Sequence, residues 1–340
     1  MLNIKQIFLS IVSCIVTINV ICAQESKDAK PEISQANDST DIRIALITCD
    51  PGPDAYQMFG HSAIRVTMVN NPQYDFVFNY GVFDSRRDNF IYAFVKGETD
   101  YVLAAEPASW FFDKYTDGYG INVYEQVLNL TQAQKWTLLR LLETNAMPQN
   151  KTYRYNFLYD NCTTRARDII IKAIEQEGGE VVFKDNIYQP TELSFRDLIH
   201  LKTEMAPWLQ FGIDFVLGQE VDKKRTEWEL MFLPYKLKMN FANACRTQQL
   251  TLEGNIVEQN TEKNATVEMK AIPDFPLSPL VTFTIVFFLT FALCVYDFKR
   301  RKLSIWADIF GIFVRGLAGF VVAFLFLLSE HPAVGSNWLV

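Results

Sequence analysis

Apolar and polar positions change their spacing several times along the chain, and each change marks an element. Arg43 to Thr48 (RIALIT) and His61 to Val69 (HSAIRVTMV) are short runs of aliphatic and β-branched residues, the composition of strands. Asn70-Asn71-Pro72 supplies a turn, and Tyr74 to Tyr80 (YDFVFNY) alternates aromatic with smaller residues, so the second and third runs predict an antiparallel hairpin. In its first strand Ile64, Val66 and Met68 share one face, which leaves His61, Ala63, Arg65 and Thr67 on the other. Farther on, Thr131 and Gln134 form a capping box ahead of a helix carrying Trp136, Leu138, Leu139, Leu141 and Leu142. The sharpest periodicity follows Asp160-Asn161. Ala166, Ile169, Ile170, Ala173 and Ile174 recur at i, i+3, i+4, i+7 and i+8, predicting a helix with one buried face that Gly178-Gly179 ends.

Near the C-terminus periodicity gives way to continuous apolarity. Residues 278–296 hold no charge and are long enough to cross about 30 Å of hydrocarbon, and residues 303–328 are a second run of spanning length. The loop between them, 297–302 (DFKRRK), carries four cations and belongs on the cytoplasmic side. At the other end, Lys5 precedes an apolar run, Ile7 to Cys22, and then Ala23-Gln24-Glu25-Ser26. This series reads as a signal peptide over 1–23, with an uncleaved anchor as the alternative. Either way residues 24–277 lie outside the cytoplasmic membrane: a linker over 24–41, one domain over 42–245 and a polar tether over 246–277. The tail, 329–340, is exported as well. Aromatic-rich stretches such as Phe90 to Val95 and Ala108 to Phe112 are candidates either for lipid contact or for ordinary core packing.

Composition then narrows the chemistry. The chain has 340 residues, a net charge of −7, six cysteines and three histidines. An acidic balance argues against nucleic acid as a partner, because phosphate binding needs a basic surface. Setting aside Cys14, Cys22 and Cys294 in the apolar segments leaves Cys49, Cys162 and Cys245 in the exported domain, an odd number, so at least one is unpaired within the chain. A free thiol in an oxidising compartment is either a buried structural residue or a reactive one. Cys162 follows the Asx cap and so stands in the first turn of a helix, where unpaired N–H groups and the helix dipole favour a thiolate. Among the histidines, His200 lies in a Leu-Ile-His-Leu stretch suited to helix packing and His331 follows a membrane span, whereas His61 opens a strand beside small neighbours. On the returning strand Asp75 and Asn79 share a face. Asn79 is nearer His61 in a tight hairpin and is the first choice to orient the imidazole, with Asp75 second. The chemistry predicted is that of a thiol enzyme without metal or cofactor. His61 takes the proton of Cys162, the thiolate attacks an acyl carbonyl, and backbone N–H groups at the helix start stabilise the oxyanion.

A strand histidine, a polar residue on the next strand and, 101 positions after the histidine, an Asn-Cys opening a helix is the order of circularly permuted papain-like (NlpC/P60-like) enzymes. The sequence resembles more closely the Bacteroidetes lipoprotein N-acyltransferases, the Lnb-like family. The resemblance runs through FGHSAIRV (59–66), FNYGVFD (78–84), QVLNLTQAQ (126–134) and YRYNFLYDNCTTRARDII (153–170) and covers nearly all of residues 42–300. It implies an α+β exported domain with an antiparallel sheet and a Cys-bearing helix, followed by two transmembrane helices in the inner membrane of a Gram-negative bacterium. It further implies transfer of a fatty acyl chain from phospholipid, through Cys162, to the α-amino group of a diacylated lipoprotein. Cys162 and His61 fall on the motif positions, and Asn79, Asp160, Asn161, Arg165 and Tyr80 match the surrounding pattern. Relatives continue with further membrane helices, whereas this sequence stops twelve residues after Leu328. An exported peptidase or amidase using the same Cys-His chemistry, and a non-catalytic envelope scaffold, are the competing readings.

Overall fold

A computed structural model describes residues 41–83, 96–98, 100–248, 251–269 and 275–329. The signal segment, most of the linker, Phe90 to Val95, His331 and all but the first residue of the C-terminal tail lie outside the described residues. In chain order the strands are β1 (Ile42–Cys49), β2 (His61–Met68), β3 (Asn71–Val82), β4 (Asp100–Pro107), β5 (Val123–Leu128), β6 (Thr152–Arg154), β7 (Gly179–Phe183), β8 (Pro190–Ser194), β9 (Lys224–Thr226), β10 (Ala244–Gln248), β11 (Thr251–Asn255) and β12 (Val257–Lys263). The helices are α1 (Ala108–Asp113), α2 (Gln132–Ala146), α3 (Cys162–Gln176), α4 (Phe195–Thr203), α5 (Pro207–Val216), α6 (Glu227–Leu230), α7 (Pro234–Ala242), α8 (Pro279–Arg300) and α9 (Ile305–Leu328). A π-helical turn, Lys114–Tyr119, continues α1.

The core is a seven-stranded antiparallel sheet in the order β12-β5-β1-β2-β3-β4-β6. The expected hairpin is β2–β3, and Ile64 opposes Phe78 while Thr67 opposes Asp75. Because strand side chains alternate between faces, one face collects Ile42, Ile44, Leu46, Ile64, Val66 and Phe78. Helices α2 and α3 cover it, with Leu138, Leu142, Ala166, Ile170 and Ile174 packed into the same cluster. On α3 the three isoleucines of the apolar stripe are buried, worth roughly 5–9 kcal/mol together by area. The opposite face carries Ile47, Cys49, Ala63 and Val77 under Phe111, Phe112 and Tyr115 of α1 and the π-helical turn. The site forms where β2, β3 and the start of α3 meet.

One boundary differs from the sequence expectation. The stretch expected as a polar tether, 246–277, instead begins with sheet. β10 and β11 pair with each other and β10 with β7, and β12 completes the large sheet alongside β5, from Val257 opposite Leu128 to Lys263 opposite Val123. β12 is an edge strand in which only Val257 is buried, so its sequence is polar and resembles a linker. The chain then stays fastened past the strand, because Ala265 N–H donates to Asn122 Oδ1 and Thr266 N–H to the Thr116 carbonyl. The two apolar helices match the expected spans to within a few residues and hold almost no buried side chain. Lying against them, α5 (PWLQFGIDFV) has no fully buried residue. Its Trp208 stacks near Phe275 and Phe283, and the indole N–H donates to the Leu277 carbonyl at the root of α8.

Candidate active site

Helix α3 begins where it does because Asn161 caps it. The Asn161 side-chain oxygen accepts from the N–H groups of Thr163 (2.8 Å) and Thr164 (2.9 Å), and Thr164 Oγ1 accepts in return from the Asn161 N–H. Its amide NH2 donates to two backbone carbonyls, Phe157 (2.7 Å) and Phe232 (3.0 Å), so one buried side chain fastens the helix start to two other segments. Thr163 Oγ1 meets Ser62 Oγ at 3.1 Å and ties the same turn to the start of β2. These bonds bring Cys162, the first helical residue, against His61, the first residue of β2. Cys162 is buried and His61 half-buried, and the charges of the thiol and the imidazole act on each other.

Each group changes the acidity of the other. Burial by itself would push the Cys162 thiol up, yet the His61 charge, its hydrogen bond and the Ser62 N–H outweigh it, and the thiol is held below its ordinary value. Burial would also lower His61, and the adjoining thiolate with Asn79 reverses that, raising the imidazole. Both shifts move the pair toward thiolate and imidazolium.

Asn79 stands where the hairpin argument placed it. His61 Nε2 is 2.6 Å from Asn79 Oδ1, and Asn79 Nδ2 donates to Glu106 Oε1 at 2.8 Å. A carboxylate only accepts, so Glu106 turns the amide NH2 toward itself and the amide oxygen toward His61. Nε2 must then carry a hydrogen, which leaves Nδ1 as the nitrogen able to take the proton of Cys162. The Tyr115 ring stacks on the imidazole with centroids 6.0 Å apart and planes 9° from parallel, covering this bond from water.

The remaining expected residues divide. Asp160 and Arg165 form a bidentate pair (2.6 and 2.7 Å), and the guanidinium lies 3.6 Å over the Tyr153 ring. Tyr80 is buried in the main core, where its hydroxyl accepts from Asn145 Nδ2. Asp75, the second choice for orienting His61, is elsewhere. It is held bidentately by Arg65, which also reaches Glu125, because the register sets Asp75 opposite Thr67, at the far end of β2 from His61. Cys49, Cys162 and Cys245 are all unpaired. Burial pushes the Cys49 thiol well up, so Cys49 behaves as a packed core residue. His200 is partly exposed and bonded to Asp214 of α5.

Sequence reasoning missed Glu106, Tyr115 and Gly81. Gly81 sits in a β-bulge of β3 between Asn79 and Val82, with φ of +89°. A Cβ there would lie 3.6 Å from Cys162 Cβ, 3.9 Å from His61 Cε1 and 3.9 Å from the Tyr153 hydroxyl, so the missing side chain leaves the space in front of the thiol open. Around it stand Tyr101, Tyr153 and Tyr155.

Residues 29–184 match the family model described as the Lnb N-terminal periplasmic domain, and residues 270–340 match the one described as the Lnb transmembrane domain. The chain belongs to the Lnb family. It is accordingly an inner-membrane protein with a periplasmic domain, in which α8 and α9 are membrane helices. His61, Asn79, Glu106, Tyr153 and Cys162 all lie within the periplasmic Lnb match. No curated protein and no solved structure matches the chain.

Proposed function

We propose that this Lnb-family protein is a lipoprotein N-acyltransferase. It moves a fatty acyl chain from phospholipid, by way of a Cys162 thioester, to the α-amino group of a diacylated lipoprotein. The observation that carries the reading is the thiol–imidazole pair with Asn79 behind it, set in a chain that goes on to two membrane helices. Cys162 acts as nucleophile, His61 as base and then acid, and Asn79 as the group that orients the imidazole. Thiolate attack on the donor ester forms the C–S bond, and collapse breaks the ester C–O bond, with the leaving glycerol oxygen taking the proton from His61. The acceptor amine then attacks the thioester, and its proton passes through His61 to the departing sulfur. Both substrates hold acyl chains in the bilayer, so an enzyme anchored there meets them without drawing the chains into water. In fold terms the exported domain is read as a circularly permuted papain-like unit, supported by the order His61, Asn79, Cys162 along the sheet and helix.

The test is expression in a bacterial strain that lacks lipoprotein N-acylation, followed by mass spectrometry of lipoprotein N-terminal peptides. Triacylated N-termini are expected with the native sequence and absent with Cys162→Ser. Unchanged diacylated N-termini with well-expressed native protein refute the transferase reading. Release of cell-wall peptides in the same strain is the result that favours a peptidase.

A further inference from the structure

An acyl group on Cys162 needs hydrogen-bond donors for its carbonyl oxygen, and the start of α3 supplies fewer than the sequence suggests. The Asn161 side chain takes the Thr163 and Thr164 N–H groups, and the Asn161 carbonyl takes that of Arg165. The Cys162 N–H is the first-turn donor not engaged by the cap. Close by is a donor without an acceptor: the Tyr153 hydroxyl is buried and makes no hydrogen bond among the described residues. It flanks the same open space beside Gly81 that Cys162 and His61 flank. An unsatisfied buried hydroxyl is costly, so its retention calls for a partner that arrives later.

We propose that the Tyr153 hydroxyl is a donor to the oxyanion formed when the Cys162 thiolate adds to an acyl carbonyl, working with the Cys162 N–H. This rests on the reading of Cys162 as an acyl carrier. As the C–S bond forms, the carbonyl π electrons move to oxygen, where Tyr153 donates without giving up its proton. When the tetrahedral adduct collapses, the C=O bond re-forms and the donor C–O bond breaks. Burial keeps the phenol protonated, making it a weaker acid than an ordinary tyrosine, while the Arg165 cation stacked on the ring pulls the other way and strengthens the donor. Asp160 holds Arg165 in that place. The polar residues around Cys162 thus acquire a shared task, with Asp160 and Arg165 positioning Tyr153.

The experiment uses the full chain in detergent and a saturated ten-carbon aldehyde, which adds reversibly to a thiol and forms a tetrahedral thiohemiacetal without any transfer. Protection of Cys162 from iodoacetamide, read by peptide mass spectrometry, reports that adduct. In Tyr153→Phe the aldehyde concentration giving half-protection should rise about tenfold or more, while the alkylation rate without aldehyde stays unchanged, because alkylation forms no oxyanion. Melting temperature should be unchanged or higher, since the substitution removes an unsatisfied group. Equal protection in native protein and variant overturns the proposal, as does an aldehyde that fails to protect native Cys162. Loss of alkylation reactivity in the variant also overturns it, by showing that Tyr153 merely supports the fold. Failed lipoprotein acylation with intact, Tyr153-dependent aldehyde protection removes the proposed substrate and leaves this donor role standing.

Discussion

Replacing Asn161 by alanine tests how Cys162 is held. The side chain makes four hydrogen bonds, two as acceptor at the helix start and two as donor to the Phe157 and Phe232 carbonyls. Loss of the cap costs about 1 kcal/mol. The two carbonyls left without that donor add about 1 kcal/mol each at least, because they are enclosed and water does not readily replace the amide. The total is about 3–5 kcal/mol, or a fall in melting temperature of roughly 6–20 °C at about 2–4 °C per kcal/mol for a domain of this size. Thr131→Ala is the internal control. Thr131 also caps a helix, α2, through a capping box, but it fastens nothing else, so its removal should cost only about 1 kcal/mol. Tryptophan fluorescence during heating of the detergent-solubilised chain gives both shifts, and iodoacetamide labelling shows whether Cys162 keeps its reactivity. Asn161→Asp keeps the acceptor while losing both donations, so it should fall on the Ala side of the comparison. Equal shifts for Asn161→Ala and Thr131→Ala would show that the two carbonyl bonds contribute nothing.

The pH dependence of Cys162 alkylation follows from the shifts of the pair: thiolate accumulates as pH rises, and in the native chain its midpoint lies below that of an ordinary thiol. In His61→Ala only the Ser62 N–H and the Thr163 hydroxyl still oppose burial, so the midpoint should move up from the native one, and superimposable profiles would refute the pairing. Glu106→Gln lets the Asn79 amide reverse and point its NH2 at His61, so acyl transfer should fall about tenfold or more while melting temperature moves little. A transfer rate equal to native would remove Glu106 from the relay. Gly81→Ala places a methyl in the space before the thiol and strains a positive-φ position by about 1–2 kcal/mol, so lipid acyl transfer should drop more than alkylation by the smaller iodoacetamide.

The parts of the site that could be read from sequence are those set by local rules. An Asx cap followed by a helical apolar stripe located Cys162, and period-two alternation in two adjacent strands joined by a tight turn put Asn79 beside His61. Glu106 escaped because its contact depends on the β3–β4 register, which the bulge at Gly81 shifts and which no local pattern encodes. Tyr153 escaped for a related reason: β6 is a three-residue edge strand, too short for its alternation to show which way the hydroxyl points. The error over β12, residues 257–263, has the opposite cause. An edge strand exposed on both faces has the composition of a linker, and only pairing with β5 distinguishes the two.

The two fastenings beyond β12 limit how the enzyme can stand over the bilayer. The chain is held at Thr266 by the π-helical turn whose Tyr115 covers His61, and again at Leu277 by Trp208, immediately before α8. From Met269 to Pro279 there are ten residues, at most about 33–36 Å of fully extended chain. The domain is thus on a short, twice-pinned leash and cannot sample the periplasm at large. For the proposed acyl transfer, the search for substrate becomes a problem of lateral diffusion, set by the local density of lipid rather than by the bulk concentration of a soluble donor.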